Sequence, residues 1–200
     1  MTTKNILVIT ELFLPTKGGT AVWFDEVYRR LGGKDIHIIT ADVAGAIEYD
    51  KSHPNAIHRL NLKRVPWLKP ESLAMYIKLF ITSISVCFKH KIDQIHAGRV
   101  LPEGLIAWLT GKLFFKPVVI YAHGEEITTW RQPGKFKVMC FVYRHADAVI
   151  ANSKFTRDEL IKINVDKNKI KLISPGVNID RFKPGLPFDD LHKKINLSNK

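Results

Sequence analysis

The sequence predicts an α/β protein: a Rossmann-like parallel sheet with helices on both faces. Three observations predict it. Short apolar runs of strand length recur along the chain, segments with an apolar helical face alternate with them, and glycine or polar residues collect just after each run. Runs that are apolar at every position suit strands buried on both faces, as parallel strands are. Strand–helix–strand alternation in one sheet implies right-handed crossovers.

The elements follow in order. Asn5–Thr10 is a first buried strand, and Glu11–Gly19 is a loop containing Pro15 and Gly18-Gly19. Thr20 is the expected N-cap of a helix to Leu31, with Phe24, Val27, Tyr28 and Leu31 on one face and Gly32-Gly33 ending it. Ile36–Thr40 is a second strand, Asp42–Asn55 a polar loop, and Ile57–Leu62 a third, weaker strand. Lys63–Pro70 breaks the pattern with two prolines. A long helix runs over Glu71–His90, and Leu73, Tyr76, Ile77, Phe80, Ile81 and Ile84 give it a broad apolar face. Ile92–Ala97 is a fourth strand, followed by a helix opened by Pro102 and reaching Phe114. Val118–Tyr121 is a strand and Lys135–His145 a helix. Ala148–Ala151 is a strand, Asn152 or Ser153 caps a helix through Ile163, and Ile170–Ile173 is the last strand. The sequence shows no internal repeat.

Two hundred residues suffice for one sizeable core, and 46% hydrophobic residues with a mean hydropathy near zero describe a soluble globular protein. Thirty-one Lys+Arg against 19 Asp+Glu give a net charge of +12, which favours polyanions, acidic membrane surfaces or phosphorylated substrates as partners, with a plain solvated basic surface as the alternative for most of the lysines. Nucleic acid is not among the expected partners, because no zinc-finger spacing, aromatic RNA-binding strand or basic recognition helix occurs. Cys87 and Cys140 stand alone inside apolar helical patterns and read as packing residues of a reducing compartment. No signal peptide precedes the first strand, and no apolar stretch reaches the roughly 18 residues of a membrane span. The expected location is cytoplasmic, with membrane association left open.

In open α/β sheets the ligand crevice lies beyond the carboxyl ends of the strands. The residues there are Glu11 with Gly18-Gly19, Asp42, Arg99, His123 with Glu125 and Glu126, Asn152-Ser153, and Ser174-Pro175-Gly176. A histidine beside two carboxylates at a strand end is the first candidate for chemistry, as acid, base or sugar contact, with a strand-capping role as the alternative. Gly18-Gly19 before a helix suits close approach of a phosphate, or a plain turn. Arg99 reads equally as an anion contact or a loop cap. Asn152, Ser153 and Thr156 read first as helix-capping residues and second as ligand contacts. Lys63, Arg64, Trp67 and Lys69 form either a membrane-surface patch or an exposed basic loop. No G-x-G-x-x-G occurs, which argues against a dinucleotide enzyme, and no Cys/His grouping has metal-ligand spacing, so no metal is expected.

Several segments together resemble one family. Pro175–Pro184 is similar to the P-G-V-D-x-x-x-F-x-P signature of GT4-type retaining glycosyltransferases of GT-B fold, with Asn178 in place of the usual Asp. Ala146–Ser153 is similar to the segment that precedes this signature in the family, and Ile9–Gly19 to its first strand and glycine-rich loop. His123-Gly124-Glu125-Glu126 resembles its H-G-x-E element, in a version similar to that of phosphatidylinositol-mannoside mannosyltransferases.

The resemblance implies two Rossmann-like domains, the first binding mainly the acceptor and the second the nucleotide-sugar. Residues 1–184 are then the N-terminal, acceptor-side domain. Residues 185–200 are a linker or the start of a C-terminal donor-binding domain that this sequence does not contain, so the chain by itself is expected to be an incomplete enzyme. His123 is implied as catalytic, and Gly18 and Gly19 as donor diphosphate contacts. Arg99, Glu125, Asn152 and Ser153 are candidates for acceptor or sugar binding. The expected function is retaining transfer of a sugar from a nucleotide diphosphate, GDP- or UDP-linked, to a glycan or lipid-linked acceptor without a metal or other cofactor. The alternative is a non-catalytic module binding glycan or anionic lipid.

Overall fold

A computed structural model describes residues 4–65, 67, 71–130, 132–177 and 179. Its strands are β1 (Ile6–Ile9), β2 (Ile36–Ala41), β3 (Ala56–Leu60), β4 (Gln94–Ala97), β5 (Val118–Ala122), β6 (Ala148–Ala151) and β7 (Ile170–Leu172). All pair in parallel in the order β3-β2-β1-β4-β5-β6-β7. The order reverses between β1 and β4, and the loops leaving these two strands diverge to opposite sides. That divergence opens a crevice at their carboxyl ends.

The apolar runs divide by alternation. In β1, Leu7 and Ile9 face one core while Ile6 and Val8 face the other; in β5, Val118, Ile120 and Ala122 oppose Val119 and Tyr121. The first core is closed by α3 (Leu73–Lys89), α4 (Leu105–Phe114), α6 (Pro133–His145) and α7 (Lys154–Lys162). The second is closed by α1 (Gly19–Leu31), through Trp23, Phe24 and Tyr28. Both faces of the sheet carry helices. Beneath α1, Tyr28 Oη lies 2.8 Å from His96 Nδ1 and donates to Tyr121 Oη at 3.2 Å. The ring therefore donates through Nδ1, and burial holds its pKa down at about 4.

One short helix falls where the sequence predicts a loop, and a second lies in a stretch to which the sequence assigns no element. The segment Asp42–Asn55 contains α2 (Ala46–Lys51), entered through Gly45 in the left-handed region at φ 81°. Six residues are too few for a periodic signal, and α2 is held instead by tertiary polar bonds. Tyr49 bonds Asp25 and Arg29 of α1, and Asp50 receives Arg59 of β3 at 2.9 and 2.7 Å. The second is α5 (Glu125–Thr129), which follows Gly124 at φ 92°. Boundaries shift elsewhere. Gly18, not Thr20, is the N-cap of α1, without a side-chain cap bond, and a wide helical turn at Val100–Gly104 precedes α4. Cys87 is half-buried and Cys140 buried, both as free thiols.

Among the described residues no helix is long and apolar enough to cross a membrane, and no group of His, Cys, Asp or Glu could hold a metal ion. The expected boundary at residue 184 lies outside the described residues.

Candidate active site

Three strand ends meet beside the crevice. After β1 comes the loop to α1, anchored at its start and near its middle by side chains from elsewhere. The backbone N–H of Glu11 donates to Glu103 Oε1 at 3.0 Å, and Arg59 donates to the carbonyl of Leu14 at 2.6 Å. Glu103 is fully buried, its Oε2 has no partner among the described residues, and burial raises its pKa. The loop ends at Gly18 (φ 143°) and Gly19, both exposed, and a Cβ on either would meet nothing within 4 Å. No acidic side chain sits in the first turn of α1, whose N–H groups therefore meet no charge of their own helix.

After β4 come Gly98 and Arg99. A Cβ on Gly98 would approach Thr10 Oγ1 to 2.6 Å and Phe24 to 2.9 Å, so the strand can pass there only as glycine. The Gly98 carbonyl accepts from His123 Nε2 at 2.9 Å. A carbonyl can only accept, so Nε2 carries the proton and Nδ1 is the basic nitrogen of the neutral ring. Trp23 and Phe24 of α1 stand edge-on to the imidazole, with centroids 6.0 and 6.2 Å away. The ring is thus held from β4 on one side and α1 on another.

A cleft of about 60 Å³ lies at this junction, lined by Thr20, Arg99, His123, Glu125, Glu126 and Trp130. His123, Arg99 and Glu125, all expected at the rim, converge here. Arg99 is half-buried and makes no side-chain hydrogen bond or ion pair among the described residues. Glu125 is exposed on α5. Thr20 and Trp130 were not foreseen as lining residues. Thr20 reads in the sequence as a cap, and Trp130 reaches the cleft only because α5 turns the chain back.

The two carboxylates beside His123 have different surroundings. Glu126 is buried, and its Oε1 accepts from the backbone N–H of His123 at 3.1 Å and from the hydroxyl of Tyr143 on α6. This carboxylate locks the turn after β5, which packing therefore explains, contrary to the expectation for the pair. Burial, reinforced by Glu126, lifts the Tyr143 hydroxyl well above the ordinary tyrosine range.

Asn152 and Ser153 sit at the end of β6 and serve the scaffold. Asn152 Nδ2 donates to the carbonyl of His123 at 3.3 Å, and its Oδ1 accepts from Thr156 Oγ1 at 2.6 Å. Ser153 is the N-cap of α7, with Oγ accepting from the Thr156 N–H at 3.1 Å. A Cβ on Gly124 would reach Thr156 Oγ1 at 2.6 Å, so the same threonine fills the space beside that turn. Pro175-Gly176-Val177, past β7, line a hollow together with Gly19 and Val22 of α1. The proposed basic patch divides: Lys63 lines a hollow beside α2, Arg64 lines a groove beside α3, and Trp67 is 83% exposed. Lys69 lies outside the described residues.

Comparison with known proteins agrees with this fold. A Methanocaldococcus jannaschii protein named as an uncharacterized glycosyltransferase is 22% identical over 174 residues, covering 86% of this chain and 47% of its own. The GDP-mannose-dependent alpha-(1-6)-phosphatidylinositol monomannoside mannosyltransferase of Mycobacterium tuberculosis is 23% identical over 185 residues, covering 90% of this chain and 46% of its own. The chain thus spans about half the length of these relatives. Among solved structures, Anabaena HepE in complex with UDP superposes with a TM-score of 0.71 at 18% identity, over 98% of this chain and 51% of that one. The sequence model of Glycosyltransferase Family 4 matches residues 17–181. The chain belongs to Glycosyltransferase Family 4.

Proposed function

We propose that this chain is the acceptor-side half of a glycosyltransferase that moves a sugar from a nucleotide diphosphate to a glycan or lipid-linked acceptor, with retention and without a metal. One observation carries the reading: Thr20 at the start of α1, directly after Gly18-Gly19, lines one cleft with Arg99 and His123 beside the point where the strand order reverses. Each is suited to a part of the reaction. Neither glycine is required by packing, and Gly19 is not required by backbone sign either, which is consistent with close approach by a donor diphosphate. Arg99 has a cation to offer an anionic group of the acceptor. His123 is fixed in orientation and tautomer beside both, where it contacts the sugar and the reacting centre. Fixed dipoles and cations around a departing diphosphate stabilise the charge that develops in the transition state. The UDP held by the HepE structure and the GDP-mannose named for the mycobacterial relative support a nucleotide-sugar donor.

The test is mass-spectrometric detection of transfer by the longest natural protein that contains this chain. It is challenged with UDP- and GDP-sugars and membrane lipid extract, alongside the 200-residue chain. Transfer by the longer protein supports the reading and identifies the donor. Saturable glycan or lipid binding with no transfer by either protein replaces it with a non-catalytic binding module.

A further inference from the structure

At its carboxyl end β1 runs out of strand partners. Its last neighbours are the Ile39 carbonyl, which accepts from the Thr10 N–H at 3.0 Å, and the Gly98 N–H, which donates to the Ile9 carbonyl at 2.8 Å. The next N–H, that of Glu11, is received by no strand and donates to Glu103 Oε1 at 3.0 Å. Glu103 stands on the wide turn before α4 and is fully buried, with no partner for its Oε2 among the described residues. A buried carboxyl with one oxygen unsatisfied costs stability. Packing alone would be served better by an apolar side chain.

Downstream of Glu11 the chain is held at each residue to Leu14. Thr40 Oγ1 donates to the Glu11 carbonyl at 3.3 Å, and Thr10 Oγ1 donates to the Leu12 carbonyl at 3.1 Å. Phe13 is fully buried. Arg59 donates to the Leu14 carbonyl at 2.6 Å while its guanidinium also grips Asp50. The Thr16 N–H then returns to the Phe13 carbonyl at 3.0 Å. Beyond it Lys17, Gly18 and Gly19 are exposed. The loop is therefore a pinned arm with an exposed glycine tip, and Glu103 is the pin where the arm leaves β1.

We infer that Glu103 is a positioning residue of the donor site: its bond to the Glu11 N–H sets the base of the arm and, through the arm, the place of Gly18-Gly19. This rests on the transferase reading for the donor diphosphate, though not for the positioning itself. A shift of about 1 Å imposed from far away can cost about 100-fold in such a site, so a bond at the base of the arm matters at its tip. Burial raises the Glu103 pKa and so disfavours the charged form. The Glu11 N–H needs an acceptor oxygen there rather than a charge, which a glutamine also supplies.

The experiment separates the bond from the bulk: Glu103→Gln keeps an acceptor oxygen and Glu103→Leu removes it. In ¹H–¹⁵N spectra of the chain, Glu103→Leu should move the Gly18 and Gly19 amide signals, and Glu103→Gln should leave them near their wild-type positions. Nucleotide affinity is then measured by titrating UDP and GDP into the longer protein that contains this chain. Whichever binds should bind Glu103→Leu at least about tenfold more weakly, with Glu103→Gln close to wild type. Ile92→Val, a buried truncation beside the opposite end of β1, should leave the affinity unchanged. A double-mutant cycle with Gly19→Val reads what a merely structural role would not produce: once the tip is blocked, Glu103→Leu should weaken binding no further. Should Glu103→Leu not fold, Glu103→Met, unbranched and adaptable in a core, takes its place.

Unmoved glycine signals, undiminished affinity in folded Glu103→Leu, an equal loss in Glu103→Gln or Ile92→Val, or additive losses in the cycle overturn the proposal. The two readings fail differently. Wild-type affinity in Gly19→Val removes the loop from the donor site and takes this inference with it. Weakened binding by Gly19→Val beside an unaffected Glu103→Leu removes only the role given to Glu103.

Discussion

His123 Nε2 donates to the carbonyl of Gly98 at 2.9 Å, tying the end of β5 to the end of β4. A strand-end histidine is thereby given one proton position and one ring orientation, both set by a backbone group. The neutral ring is expected to be the Nε2-protonated tautomer. Long-range ¹H–¹⁵N spectra of histidine-labelled chain at pH 8 check this; an Nδ1-protonated His123 would break the link between the two strand ends.

Gly98 and Gly19 should respond oppositely to an added methyl group. Gly98→Ala brings a Cβ to 2.6 Å from Thr10 Oγ1 and 2.9 Å from Phe24, and should cost about 1–3 kcal/mol in urea unfolding. Gly19→Ala meets nothing within 4 Å and should leave stability within about 0.5 kcal/mol. If the glycine loop approaches a diphosphate, Gly19→Val should still weaken donor binding by about tenfold or more in the protein that carries this chain. Unchanged donor affinity would make the loop a turn and nothing else.

Glu126 accepts from the His123 backbone and the Tyr143 hydroxyl while buried. Glu126→Ala leaves both donors unsatisfied and should destabilise the fold by about 2–4 kcal/mol, whereas Tyr143→Phe removes one partner and should cost about 1 kcal/mol. Denaturant melts of both variants decide it. A near-neutral Glu126→Ala would return that carboxylate to the list of groups held for chemistry.

Acid should weaken the fold through two buried histidines. Burial holds His37 and His96 each at about 4; neighbouring His90 and His58 add to the effect at His37, with Asp35 opposing, and Lys4 adds at His96. Between pH 4 and 6.5 the unfolded chain binds protons that the folded chain excludes. Stability is therefore fully present above the unfolded value and is lost as pH falls, by up to about 1.4 kcal/mol per pH unit for each group. Unfolding free energy should fall from pH 7 to 4.5, and less steeply in His37→Gln. A flat profile would mean that these rings are not protected from protonation.

The sheet was legible because strands such as Ile6–Ile9, Val118–Ala122 and Ala148–Ala151 are apolar on nearly every residue, and because glycine or proline punctuates most connections before α6. What escaped depended on contacts between distant residues. The helix α2 exists through bonds from Tyr49 to α1 and from Asp50 to Arg59, neither of which leaves a local period. At the site, the meeting of His123, Arg99 and Glu125 in one cleft was legible from their places just past strand ends, whereas Gly18 and Gly19 lie outside the lining of that cleft. Trp130 and Thr20 join them only through the turn of α5 and the packing of α1. Glu126 misled because a buried carboxylate that locks a turn and an exposed one held for chemistry share the same letter. Spacing alone could not separate it from Glu125.

The most direct test of the central claim is sugar transfer by the protein containing this chain, wild type against His123→Ala. General acid–base or sugar-positioning work by a histidine contributes about 10²–10⁴-fold, so turnover should fall by that order while the variant keeps its circular dichroism and donor affinity. Wild-type turnover in a folded His123→Ala protein would contradict the placement of the reaction at the junction of β1, β4 and β5.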